Sequence, residues 1–588
     1  MAKFAALLPL LLFAVSCGKS PSEKLTALSE EFVYNSLAFS PSAAMSAGYH
    51  QHEKLNLDEM LDDFSEASRA RQRTFYEKFR DKLGQLKTAE LSPADRADLS
   101  ILENGNELNL LDLTELHSHL HNPTLYVETL GNALFTPFVL EYAPKPKRFG
   151  HLIARLQKVP LYLDQATGNL LSAPAVWNQV AIDENQGNIN LVDKDLRAAV
   201  PAELVEAYAR AARPALDAMT KFGNFLKNSL SGRTNYDWRL GTIYARKFRY
   251  TLQAGVEADN TLQQAERDVD TVRARMLQLA LPLHRDFFPA HKDHAELSGV
   301  DREEERENAV IGEVLNRIAE RHSTPEAFLD DARKALDEAR AFIQEKKLLT
   351  LPSRANLQVI PTPEFMRGSY PVGGFNPAPA LEPQLGAFYW VTPIPATWPK
   401  ERVESKLREY NFYKLKLLTI HEAMPGHYVQ FEFANDVQPK GRRLLRSIYG
   451  NGAYIEGWGQ YATQMMLDEG FLNKSPELAL TFAKEELRVL ANTILDVRLQ
   501  MLNMTDQEAM DLMQKRTFQE TEEATAKLQR AKLSSAQLPM YYVGWRAWLH
   551  GREAYKQAKG NSYSLREFND QALKQGAVPL PSLGGLLK

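Results

Sequence analysis

Apolar residues recur three and four positions apart, between charged ones, over residues 23–111 and again over 148–171, with a break at Pro160. The same period runs through 202–230 and 260–279. Thr324-Pro325-Glu326 supplies an N-cap followed by proline in the first turn. It opens a helix on which Phe328, Ala332, Ala335, Leu336, Ala339, Phe342 and Ile343 share one face. Over 351–399 the helical period disappears, and prolines with β-branched and aromatic residues take its place. Within that stretch residues 386–393 read as a strand, and prolines near both ends confine it to an edge or to a short sheet. Helices resume at Lys400 and continue almost to the C-terminus, the first from about Glu401 to Leu418. No internal repeat or flexible linker interrupts the chain. The pattern predicts a mostly α protein: one large two-lobed fold, with a helical part over 23–350 and a small β-sheet plus helices over 351–588.

At 588 residues, 44% hydrophobic and 24% charged, the chain can bury a large core, which excludes wholesale disorder. Its 70 basic and 74 acidic residues leave a net charge of -4 with no basic block, which argues against nucleic acid as a main partner. Lys3, the apolar run 4–15 and Ser16 form a secretory signal, too short for the ~20 residues that span a bilayer. Cys17 is the only cysteine, so no internal disulfide can form. Ala14-Val15-Ser16-Cys17 has the form of a lipobox, with Ala14 where leucine is more usual. An ordinary cleaved signal with an incidental cysteine is the plainer alternative. On the lipoprotein reading, 1–16 is the signal peptide and 17–22 a lipidated polar tether, with acyl chains on Cys17 holding the protein to a membrane outside the cytoplasm. Gly18 in place of an aspartate points to the outer membrane, facing the periplasm.

The candidate chemistry starts at Thr419-Ile420-His421-Glu422-Ala423-Met424-Pro425-Gly426-His427-Tyr428. Zinc peptidases place His-Glu-x-x-His on one helical face, with the glutamate beside an activated water. Here the second histidine comes at i+6, and a regular helix would leave it about 120° from the first. Pro425 cannot donate its amide and Gly426 tolerates backbone angles closed to other residues. Joint ligation by His421 and His427 is therefore possible only if the helix breaks at Pro-Gly. Glu456, 29 residues after His427, opens the aromatic, glycine-spaced run Glu456-Gly457-Trp458-Gly459 and can complete a three-ligand site for one zinc ion. Three protein ligands with a fourth position open is the catalytic form of zinc. Glu422 is then the general base.

These segments resemble the bacterial family catalogued as domain of unknown function 885, which carries His-Glu-Ala-x-Pro-Gly-His and a later Glu-Gly-Trp. Gln537-Leu538-Pro539-Met540-Tyr541-Tyr542-Val543-Gly544 is similar to its Gln-x-x-x-Tyr-x-x-Gly block, with Arg552 beyond it and Gly551 where relatives have leucine. The tail from Phe568-Asn569-Asp570 to Leu580 resembles the family ending. Gln500 stands where relatives often carry histidine. The resemblance implies a zincin-like helical metallopeptidase fold and zinc-dependent hydrolysis of short peptides. The rival expectation is a non-catalytic metal- or peptide-binding lipoprotein on the same scaffold.

Peptide hydrolysis builds an oxyanion that needs a donor, for which Tyr541 is the best candidate, with Tyr542 and His550 behind it. An edge strand at 388–392, with Phe388 and Tyr389, can pair with substrate backbone. Arg498 or Arg552 can hold a substrate carboxylate, although a structural salt bridge is the stronger expectation for either. Asp496 is a candidate hydrogen-bond partner for a ligating histidine. His117, His119 and His121 read as surface polar residues. His284, His291 and His294 read as loop residues between two short helices, and 301–307 as a solvated charge run.

Overall fold

The computed structural model describes residues 20–299, 302–367 and 370–587. The signal peptide, Cys17 and most of the tether lie outside these residues. The tether ends sooner than expected, because Pro21 and Ser22 already belong to the helix Pro21–Phe39. Ser20 caps it: its hydroxyl accepts from the Glu23 amide, and the Glu23 carboxylate accepts from the Ser20 amide at 2.7 Å. Among the described residues no helix is long and apolar enough to cross a membrane.

The architecture is mostly helical, and three differences from the sequence pattern have clear causes. The helix Ala258–Phe287 runs past Pro282, which lies on the exposed face, while Leu283 and His284 beside it are buried. The helix after Thr324 starts at Phe328, because the Thr324 hydroxyl accepts from the Ala327 amide in a preceding turn. The expected 401–418 helix is two helices, Lys400–Glu409 and Phe412–Glu422, since the Asn411 side chain accepts from the amides of Tyr413 and Lys414 and starts a new one.

Residue 350 divides no core. The largest hydrophobic core takes residues from Ala258–Phe287 and Phe328–Lys346 as well as from the C-terminal helices. A second core, built mainly from residues 61–230, reaches Phe365, Phe388 and Trp390. The sheet lies between the two. Strand Ala387–Val391 pairs in parallel with Leu357–Pro361 and antiparallel with Gly373–Asn376. It is therefore central rather than an edge strand, because the flanking prolines fall outside its paired span. Ala387, Tyr389 and Val391 face the largest core, while Phe388 and Trp390 face the second. The Tyr389 hydroxyl lies 3.3 Å from Thr419 Oγ1, tying the sheet to the helix that bears His421.

His50 connects the N-terminal helices to the segment leading into this strand, with Nδ1 2.7 Å from Asp58 and Nε2 3.1 Å from Glu382. Burial would lower the imidazole pKa, but the two carboxylates outweigh it and raise it to about 9. A raised folded-state pKa means that the stabilisation is complete below the ordinary 6.5 and is lost as pH rises through about 9. After solvent screening this amounts to about 2 kcal/mol. Thermal unfolding followed from pH 6 to 10 should show that loss in the wild type, and His50→Gln should remove it.

Candidate metal centre

The helix Phe412–Glu422 ends at Ala423, whose backbone (φ -118°, ψ -84°) is not helical. The chain crosses Met424, Pro425 and Gly426, and a new helix, His427–Ala434, starts with His427 as its first residue. The Gly426 amide turns back to donate to the Ile420 carbonyl at 2.9 Å. A Cβ on Gly426 would lie 1.8 Å from the His421 carbonyl oxygen, so only glycine allows this return. The break brings the imidazoles of His421 and His427 to a centroid separation of 4.6 Å, nearly perpendicular at 83°.

Glu456 reaches them from the helix Gly452–Asp468, which is capped by the Asn451 side chain accepting from the Tyr454 amide. Its Oε2 is 3.4 Å from Nε2 of both His421 and His427. The three donor atoms all lie within 4.8 Å of one another. Two residues further along the same helix, the Trp458 indole donates to the Pro425 carbonyl at 2.9 Å and also reaches the Gly426 carbonyl. One helix thus supplies both the carboxylate and the clamp on the loop between the histidines. The His427 Nδ1 lies 3.4 Å from Gln430 Oε1, and the Gln460 side-chain amide is 3.5 Å from His421 Nδ1, which leaves both Nε2 atoms turned towards Glu456.

These residues fit a metal ion. Glu456 Oε2 is buried without a hydrogen-bond partner, an arrangement that costs free energy unless something else engages the atom. A contact of 3.4 Å is long for N–H···O, but it matches the ~3.3 Å between ligand atoms of a tetrahedral zinc with bonds of ~2.0–2.1 Å. Two imidazoles and a carboxylate are also a donor set that suits zinc. Burial acts to raise the Glu456 pKa, but the imidazoles beside it prevail and hold its carboxyl well below the usual carboxylate range.

A cavity opens beside this group, lined by His421, Glu422, Gln460, Lys527, Arg530 and Tyr541 among others. Tyr541, on the helix Pro539–Lys559, stacks near His421 at a centroid distance of 6.1 Å. Its hydroxyl oxygen accepts from Arg530 Nη2 at 3.3 Å. Burial and the Glu456 charge push its pKa up to about 12, so it keeps its proton and remains a donor.

Other candidates lie elsewhere. Because the strand Ala387–Val391 is paired on both sides, Phe388 and Tyr389 have no free backbone edge for a substrate. Arg498 pairs with Glu266, and Arg552 lies 3.7 Å from Asp468 and over the Tyr461 ring; neither lines the cavity. Tyr542 donates to Asp268 at 2.6 Å, away from the histidines. Asp496 contacts neither His421 nor His427. It accepts from the Tyr244 hydroxyl and from the amides of Ala536 and Leu538, which fixes the turn leading to Tyr541. Gln500 accepts from the Leu240 amide and donates to the Ser534 carbonyl. The 117–121 histidines lie on and beside a short helix, with His119 buried, so they are not all surface residues. Sequence reasoning missed Arg530 and Lys527, which have no local signature. It also missed the role of Gly459, whose signal is the Gly-Trp-Gly spacing.

A Cβ at Gly459 would sit 2.5–2.9 Å from three atoms of the His421 ring. If His421, His427 and Glu456 bind a metal ion, Gly459→Ala should displace that imidazole and weaken the binding by about 10–100-fold, with little change in thermal unfolding. Competition against a chromophoric chelator measures the change; unaltered affinity would show that the ring does not bind the ion.

The comparisons with known proteins agree with the fold. No protein of curated function matches the sequence. A "putative lipoprotein of unknown function" from Shewanella oneidensis is 28% identical, with a TM-score of 0.75 over 97% of this chain and 100% of that one. A second "putative lipoprotein", from Colwellia psychrerythraea, is 17% identical at a TM-score of 0.75, covering 97% and 98% of the two chains. Metallocarboxypeptidase 1 of Trypanosoma cruzi aligns at 11% identity with a TM-score of only 0.37, over 96% of this chain and 91% of that one, which carries no argument. Residues 41–587 match the family described as "Bacterial protein of unknown function (DUF885)". With that match spanning nearly the whole chain, the protein belongs to the DUF885 family.

Proposed function

We propose that this protein is a zinc-dependent peptidase that hydrolyses short peptides outside the cytoplasm, anchored to a membrane by acyl chains on Cys17. The observation that carries this reading is the convergence of His421, His427 and Glu456 beside a cavity whose wall includes Glu422 and Tyr541. The lipobox-like sequence and the two similar lipoproteins support the anchor.

His421, His427 and Glu456 would hold the ion, which when bound supplies Lewis-acid activation of water and of the scissile carbonyl. Glu422, adjacent to His421 in sequence, takes the proton from the attacking water and returns it to the leaving amine. The Tyr541 hydroxyl donates to the oxyanion, and Arg530 orients it by donating into the lone pair that Tyr541 does not use. Arg530 places a positive charge on the cavity wall, which suits a peptide carrying a carboxylate near the bond to be cut, whereas burial pulls the Lys527 amine well below the ordinary lysine range.

The test is cleavage of a synthetic peptide library by the purified protein, read by mass spectrometry. Cleavage should stop on chelation and return with added zinc. A zinc-loaded protein that retains peptides without cutting any would mean a binding protein instead.

A further inference from the structure

A second set of donors lies at the far end of the helix Ala258–Phe287, where His284 is fully buried. The segment Pro289–Leu297 brings His291 and His294 back over it, and Glu313 arrives from the helix Glu303–Ala319. One donor atom from each of these four residues lies within 4.8 Å of all the others. The Glu313 carboxylate is 3.0 Å from His284 Nε2, 2.7 Å from His291 Nδ1 and 3.2 Å from His294 Nε2. The sequence pattern suggests loop histidines between short helices, whereas the structure gathers them round one carboxylate.

Hydrogen bonding satisfies His284 only if both of its ring nitrogens carry protons, since each faces a carboxylate. A carboxylate only accepts, so the contact of His284 Nδ1 with Asp293 at 2.9 Å requires the proton on Nδ1. The other Asp293 oxygen accepts from Arg285 Nε at 2.6 Å, which holds that carboxylate in place. With a proton on Nδ1 alone, Nε2 would turn its lone pair towards those of Glu313, an opposition that either a second proton or a cation between them removes. His294 Nε2 is likewise buried without a hydrogen-bond partner. A carboxylate bonded to the outer nitrogen of an imidazole is also the usual support of a metal-ligating histidine.

The backbone carries a third sign. Lys292, Asp293 and His294 have φ of 49°, 52° and 52°, three consecutive non-glycine residues in the left-handed region. Such a run persists only where its surroundings over-determine it. This turn places Asp293 against His284 and His294 against Glu313.

We propose that His284, His291, His294 and Glu313 bind a second divalent transition-metal ion, with zinc favoured by the donor set. Four protein ligands close a tetrahedron and leave no position for water, so this is a structural site, unlike the three-ligand centre at His421. It pins the segment Pro289–Leu297 between the end of the helix Ala258–Phe287 and the middle of the helix Glu303–Ala319. The inference does not depend on peptidase activity.

The test is a zinc titration of the chelator-stripped full chain, with equivalents counted by native mass spectrometry. The wild type should take about two equivalents. His291→Ala/His294→Ala and, separately, the nearly isosteric Glu313→Gln should each lose one, and zinc should then raise Tm by less than in the wild type. His421→Ala/His427→Ala should lose the other equivalent and keep this one, with cobalt substitution giving the visible spectrum of a tetrahedral N,O site. A wild type with one equivalent, removed by His291→Ala/His294→Ala alone, would support this site while counting against the peptidase centre. Unchanged zinc uptake in both His291→Ala/His294→Ala and Glu313→Gln, or no cobalt spectrum in His421→Ala/His427→Ala, would overturn it.

Discussion

Glu422→Gln should lower kcat on any cleaved peptide by about 10²–10⁴-fold, the usual worth of a positioned general base. Zinc content should remain that of the wild type, because Glu422 is not among the three residues whose donor atoms converge. Glutamine keeps the volume and the hydrogen-bonding reach of glutamate but cannot take a proton from water at neutral pH. The result therefore separates proton transfer from metal loading, which His421→Ala or His427→Ala cannot do. KM should change little, since the side chain's work falls in the transition state. Steady-state kinetics with elemental analysis of the same sample decides it. Full activity in a zinc-replete variant would remove Glu422 from the mechanism; loss of zinc would make it a ligand or a structural residue.

Gly544→Ala should destabilise the fold by about 3 kcal/mol, at the upper end of the cost of overpacking. The helices Gly452–Asp468 and Pro539–Lys559 cross with almost no space between their backbones. A Cβ at Gly544 would lie 1.9 Å from the Ala453 carbonyl oxygen and 2.8 Å from Gly457 Cα. Both obstacles are main chain, so no rotamer change relieves them and the helices must separate. One of them carries Glu456 and the other Tyr541, so the same substitution should also weaken zinc binding and slow turnover. Gly551 on the second helix is the internal control, for a Cβ there would meet nothing within 4 Å. Gly551→Ala should raise stability by about 0.5–1 kcal/mol through the ordinary helix preference for alanine. Thermal and denaturant unfolding of the two variants provides the measurement. Equal effects from both would show that the crossing is not close-packed.

The break between His421 and His427 was legible because its causes are local. A proline without an amide beside a glycine free of a Cβ weakens a helix locally, and Pro425-Gly426 ends one here. The amphipathic face of Phe328–Lys346 was legible for the same reason, since helical spacing alone sorts its residues into buried and exposed. Asn411 also carried a local signal, a side chain able to cap the amides that follow, which the continuous apolar period around it concealed. His284 was hidden differently. The helical period faded before Pro282, but packing of the buried side around Ala280 and Leu283 carries the helix through that proline and far enough to bury the histidine.

From its residue pattern this chain was bound to be mostly helical and to carry a His-Glu signature, a Pro425-Gly426 pair at which the helix could break, and a second acidic segment downstream. The tertiary structure decided what each of these meets. Pairing by Leu357–Pro361 and Gly373–Asn376 put Ala387–Val391 at the centre of the sheet and removed Phe388 and Tyr389 as a substrate edge. Packing of separate elements against one another set Trp458 on the Pro425 carbonyl, Arg530 on Tyr541 and Glu313 among three histidines. The reason is one of range. Backbone preferences act over a few residues and are written where they act, whereas a contact between side chains on separate elements depends on how those elements pack.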